Sequence, residues 1–290
     1  MFFVISAWYL LDEKYVFSIN SLFKVFIETM IFSTLAVIMA KILGVQHVGI
    51  ELVIKRILSP MLNTYWFATA YFLFYLMLPF IRKVTNILTD SQLITINVIL
   101  TIFIPLYRSF LSVAPVSNVD LAIYIAFLVA LVKRKRKWFE KRVGTGIIIN
   151  LIVVFGGYFT SKLLGFANYG YEIFINRYSI FMIWGAIFVF MLFEKVVIFD
   201  NKMINVCAKT MYGVFVLHAC PEVATLLWSE VFQIQKYYMT KIFVVYLPMC
   251  SAIVMVVCMM IVFVVGCLLR LIKVKGRIVD KIDLYINMCE

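Results

Sequence analysis

A histidine closes the apolar helix of the segment KTMYGVFVLHACPEVATLLW, residues 209–228, and is followed by a thiol, a proline, a carboxylate and a tryptophan. His218 and Glu222 are the types that general-base chemistry needs: an imidazole to take a proton and a carboxylate to orient its other ring nitrogen. Their spacing is that of neighbours on one helix face, but Pro221 interrupts the helix between them, so contact is not assured. An ionisable group at membrane depth is costly and often marks a working site. The plainer reading is a helix-end histidine that caps or reaches toward the interface. A second group, Asn63, Tyr65 and Trp66, opens the segment NTYWFATAYFLFYLMLPFI, and Arg108 closes another apolar run. Aromatic rings stack on the apolar faces of a sugar while polar groups take its hydroxyls. The same aromatics suit an interfacial belt, and Arg108 suits either snorkelling or pairing with Asp120. His47 shows no partner in the sequence and reads as structural.

The elements that position these residues belong to a membrane protein. The chain has 290 residues, 64% hydrophobic and only 14% charged, against an apolar share of roughly 45–50% in soluble domains. Its mean hydropathy is +1.02. The net charge of +12 does not point to nucleic acid, because its densest cluster, KRKRKWFEKR at 133–142, is wedged between two apolar runs. That placement marks a cytoplasmic loop. Six cysteines lie mostly inside apolar runs without a CxxC pair, which indicates neither a metal site nor a disulfide framework. Walker, HExxH and GxSxG signatures are absent from the sequence.

Apolar helical runs fall at about 22–44, 64–81, 91–108, 119–132, 146–163, 178–197, 203–219 and 242–272. The fold class expected is therefore all-α: a polytopic transmembrane helical bundle of about eight full spans, in one domain over 1–290 with a cytoplasmic tail at 274–290. If that tail is inside, the alternate loops that share its side carry 17 basic residues with it, against 8 on the opposite side. Lys and Arg are enriched in cytoplasmic loops, so the orientation follows. It places Asn63, Tyr65, Trp66, Arg108, His218 and Glu222 near the outer leaflet. Ahead of the first full span, MFFVISAWYLL covers only ~16 Å of a ~30 Å hydrocarbon core. It lacks the charged head and cleavage site of a signal peptide and reads as a partial span, the later part of a helix that begins upstream.

Three stretches in order resemble one family. MFFVISAWYLL is similar to the segment that ends the second helix of the acyltransferase 3 family, the bacterial integral-membrane enzymes that O-acetylate cell-surface polysaccharides. NTYWFATAYFLFYLMLPFI resembles a later helix of its polysaccharide branch, and KTMYGVFVLHACPEVATLLW resembles its late His-containing helix and Pro loop. VFVVGCLLRLIKVKGR resembles the terminal helix with its basic exit. Departures are specific: Ala7 stands for a glycine, Phe215 for a tyrosine, and a basic stretch is reduced to Lys24. The family's first helix, bearing its principal arginine and histidine, has no counterpart.

The resemblance implies a membrane O-acyltransferase of the bacterial inner membrane, C-terminus in the cytoplasm. It would move an acyl group, acetyl in the first instance, from acyl-CoA to a hydroxyl of a cell-surface polysaccharide. Acetyl-CoA is then a donor substrate; no bound cofactor, metal or nucleic acid is expected. His218 and Glu222 are the catalytic candidates, and Asn63, Tyr65, Trp66 and Arg108 the substrate-binding ones. Without the first helix, this chain is expected to catalyse weakly or not at all. A glycan or lipid transporter and a non-catalytic membrane remnant are the competing readings.

Overall fold

A computed structural model describes residues 1–12, 15–45, 49–60, 62, 64–111, 118–195, 201–238 and 240–271. Asn63, His47 and the expected tail at 274–290 lie outside the described residues. In chain order the helices are α1 (Phe2–Leu10), α2 (Ile19–Ile42), α3 (Ile50–Ile57), α4 (Trp66–Ile87), α5 (Asp90–Thr101), α6 (Tyr107–Leu111), α7 (Val119–Arg134), α8 (Arg136–Glu140), α9 (Val143–Leu163), α10 (Ala167–Gly170), α11 (Ile180–Lys195), α12 (Lys202–His218), α13 (Pro221–Thr225), α14 (Ile234–Tyr237) and α15 (Phe243–Leu271). π-helical turns join α5 to α6, carry α10 toward α11 and extend α13. No strand occurs among the described residues, so the chain is an all-α, polytopic bundle.

Six of these helical stretches are long and apolar enough to cross a membrane, and α12 with α13 makes a seventh if that pair, bent by 80°, counts as one. The eighth expected span, 119–132, is α7, whose 16 residues cover about 24 Å. It falls short of a full crossing by length. Its sequence is also unlike the lipid-facing helices: half of its residues are buried, including Leu121, Tyr124, Leu128 and Val132. By contrast α9 buries only Val143 and Val154 and turns Ile148, Ile152, Phe155 and Phe159 outward. An outer face that apolar suits hydrocarbon, not water.

The described chain groups into two compact units. The first comprises 1–17 and 70–198. Here α1 lays Phe3, Val4, Ala7, Trp8 and Leu10 inward, and Trp8 packs on Phe190 of α11. Lys133 of α7 donates to the Trp8 carbonyl at 2.7 Å, satisfying a group that the end of α1 leaves open. A capping box starts α5, with Gln92 N–H to Thr89 Oγ1 at 3.3 Å and Thr89 N–H to Gln92 Oε1 at 2.9 Å. Asn97 then reaches across to the Phe127 carbonyl at 3.1 Å, tying α5 to α7.

The second unit comprises 18–69 and 199–290. Cys250, Val254, Cys258 and Val262 form a buried stripe at four-residue spacing on α15, which packs against α12. Gly213 of α12 permits the close approach: a Cβ there would lie 2.7 Å from Val262 and 3.0 Å from Phe32. Small residues at such crossings are what let membrane helices touch. On the other side, Ser33 of α2 donates to the Arg56 carbonyl at 2.7 Å and receives Ser59 Oγ at 3.0 Å, which fixes the short α3 against α2.

Candidate functional site

The polar centre of the second unit is built where α12 stops. Pro221 has no N–H to continue α12 and suits the first position of a new helix, so the chain turns sharply there and α13 begins. That turn brings Glu222 back to α3. Arg56 donates to Glu222 Oε1 at 2.6 Å, and the Cys220 thiol donates to Oε2 at 3.0 Å. The pair is largely withdrawn from solvent, with side chains 8% and 16% exposed. A pair so placed holds together only if its remaining hydrogen-bonding groups are met. Arg56 Nε is buried and has no partner among the described residues.

Tyr65 supplies a second open donor. It is 2% exposed, precedes α4, and its ring meets Phe215 edge-on at 6.4 Å. Its hydroxyl lies beside the Cys220 thiol but makes no hydrogen bond of ordinary geometry. A phenol carries its proton at neutral pH, so Tyr65 can donate one hydrogen bond and accept through its lone pairs.

His218 ends α12 half-buried, with Nδ1 2.7 Å from the Val214 carbonyl. A carbonyl only accepts, so the proton sits on Nδ1 and the basic nitrogen is Nε2. Phe215 lies between the two functional rings, 6.1 Å from the His218 ring as well. Glu222 spends both oxygens on Arg56 and Cys220, and the His218 ring is oriented by its own helix backbone.

The remaining expected residues fall as follows. Trp66 is the half-buried first residue of α4, edge-on to Phe67 at 6.0 Å. Arg108 lies in the first unit, where it pairs with Asp120 and stands 4.6 Å over the Tyr178 ring. Tyr178 in turn hydrogen-bonds to Asn118. Of the two sequence readings for Arg108, pairing is the one realised, although its Nη1 is also buried without a partner among the described residues.

Arg56 and Cys220 were not legible as site residues from charge counting or from cysteine spacing. A signal for Arg56 does exist in IELVIKRI. Lys55 falls one turn from Glu51 on an outer face, and the two pair at 2.6 Å. Arg56 falls one turn from Leu52 and Val53, both packed against the apolar core. An arginine in register with the apolar face is an inward arginine.

No group among the described residues has the His, Cys, Asp and Glu content to hold a metal ion. No protein-family model, curated protein or solved structure matches the chain.

Proposed function

We propose that the protein is a membrane O-acyltransferase, fully active only together with a helix like the family's first, that transfers an acyl group, acetyl in the first instance, from acyl-CoA to a hydroxyl of a cell-surface polysaccharide. The observation that carries this reading is the pair of buried open donors, Arg56 Nε and Tyr65 Oη, beside the His218 turn. Donors left open in an apolar bundle are expensive unless a ligand completes them. A sugar hydroxyl or an acyl carbonyl oxygen has the lone pairs to do so. The ordered resemblance of the segments at 1–11, 63–81 and 209–228 supplies the reaction class.

In this proposal the sugar oxygen forms a bond to the thioester carbonyl carbon as the carbon–sulfur bond breaks. The hydroxyl proton passes to His218 Nε2, and the coenzyme A thiolate leaves and is protonated. Arg56 and Tyr65 hold the oxygens in place, while Glu222 and Cys220 hold Arg56. The chain sits in the bacterial inner membrane with its C-terminus in the cytoplasm, so that donor and acceptor approach from opposite sides.

Deleting the gene in its own host and measuring O-acetyl groups on the surface glycan by NMR tests the reading. Loss of a defined O-acetyl signal, restored by the wild-type gene and not by Arg56→Ala, is expected. Unchanged acetylation together with impaired export of the glycan would overturn it in favour of transport.

A further inference from the structure

The second unit has a groove of about 650 Å³ between α2, α12 and α15 that the acyl-transfer reading does not use. Lys24 and Glu28 of α2 and Lys209 of α12 stand along it, and Phe32, Val262 and Phe263 form its apolar wall. Lys24, Glu28 and Lys209 come from the first halves of helices whose starts the Lys and Arg distribution assigns to the cytoplasm, and Phe32 lies one turn deeper than Glu28. The α15 residues come from its last third, which returns to the same side. Lys24 and Lys209 lie five and seven residues past the starts of their helices, which is about 8–10 Å along the axis. Both lie toward the cytoplasmic ends of their apolar runs, from which a lysine stem reaches toward the headgroup layer.

The charges at this level are unbalanced. Lys24 stands 3.9 Å from Glu28 and its side chain is 74% exposed. Lys209 is exposed and has no ion pair among the described residues. Two cations face one carboxylate, and the wall beside them is apolar. The wall also continues onto the outer face of α15, where Phe263 and Val264 are more than half exposed. A ligand can therefore enter sideways from the bilayer without passing through water. Basic pockets between helices at the cytoplasmic side are a general way to hold anionic lipid headgroups.

We propose that this groove binds an anionic phospholipid of the inner leaflet, its phosphate between Lys24 and Lys209 and one acyl chain along Phe32 and Val262. Gly266, one turn nearer the cytoplasmic end of α15 than Val262, leaves the lysine end of the groove open, since a Cβ there would meet nothing within 4 Å.

Native mass spectrometry of the full chain in detergent, with phosphatidylglycerol and phosphatidylcholine supplied in equal amounts, tests this. Wild type is expected to retain phosphatidylglycerol preferentially. Each lysine near an anionic headgroup is worth about a fivefold preference, so Lys24→Ala with Lys209→Ala should cost about 25-fold. Gly266→Leu fills the open end without a clash and with better helix propensity, so it should weaken retention in a protein that still folds. Lys236→Ala, in α14 and away from the groove lining, should leave retention unchanged. Equal retention of the two lipids by wild type, or an undiminished preference in the double lysine variant, overturns the proposal. So does unaltered retention in Gly266→Leu. Displacement of the lipid by an equal amount of palmitoyl-CoA, with that binding lost in the lysine variant, overturns it in favour of an acyl-donor groove.

Discussion

Tyr65 and Arg56 respond to mutation in opposite ways if one completes a substrate and the other also holds the unit together. Removing the Tyr65 hydroxyl deletes a buried donor that no atom of the described residues satisfies, so Tyr65→Phe should be neutral or stabilising by about 1 kcal/mol in a thermal melt. The same variant should lower acetylation of the glycan by about tenfold or more, because the ligand loses the bond the protein could not make for itself. Arg56→Ala instead strands the Glu222 carboxylate and should cost about 3–5 kcal/mol, while Arg56→Leu with Glu222→Leu should recover much of it. Equal losses from the single and double leucine variants would show that the pair is not the cause. At this scale the sequence revealed the types but not the partners. His218 and Glu222 share a spacing that suggests contact, yet the carboxylate was taken by an arginine 166 positions away in the chain, a separation no local pattern encodes.

Elements were more legible where their cause is local. Pro221 foretold the break after α12, and the long apolar runs foretold the lipid-facing helices. The short helices were harder. α3 has only 8 residues, too few for a periodicity to stand out between the apolar runs at 22–44 and 64–81. In sequence α7 looks like an ordinary span, because hydropathy does not distinguish burial in lipid from burial in protein. The crossing of α12 over α15 and α2 is a further case: Gly213 looks unremarkable in VCAKTMYGVFVLH, but its missing side chain is what the crossing needs. Gly213→Val should destabilise the second unit by about 1–3 kcal/mol by forcing Val262 and Phe32 apart, measurable as a lower melting temperature. An unchanged melting temperature would mean that the helices can separate without loss.

At the scale of the whole molecule, composition alone marks a membrane protein, and the distribution of lysine and arginine predicts its orientation. A single cysteine placed at Lys137 in a background free of other thiols should react with an impermeant maleimide only from the cytoplasmic face, whereas one at Asn168 should react from outside. The reverse pattern would invert the bundle and move the His218 turn to the inner leaflet. Fold class is legible at this scale because it rests on sums over many residues; chemistry rests on a few, and here on residues brought together from α3, α4 and the α12–α13 turn. The shortness of α7 bears on how the protein is made. A helix of 16 residues with half of them buried is poorly matched to bare lipid, so it must leave the insertion machinery with companions or wait at its exit until they arrive. Companions already synthesised are α5, whose Asn97 reaches the Phe127 carbonyl, and α1, whose Trp8 carbonyl receives Lys133. The inward face of α1 thus serves as part of the surface on which a later helix is received during biogenesis, and damage to Trp8 should be felt first as degradation of newly made chains, before any fault in the mature protein.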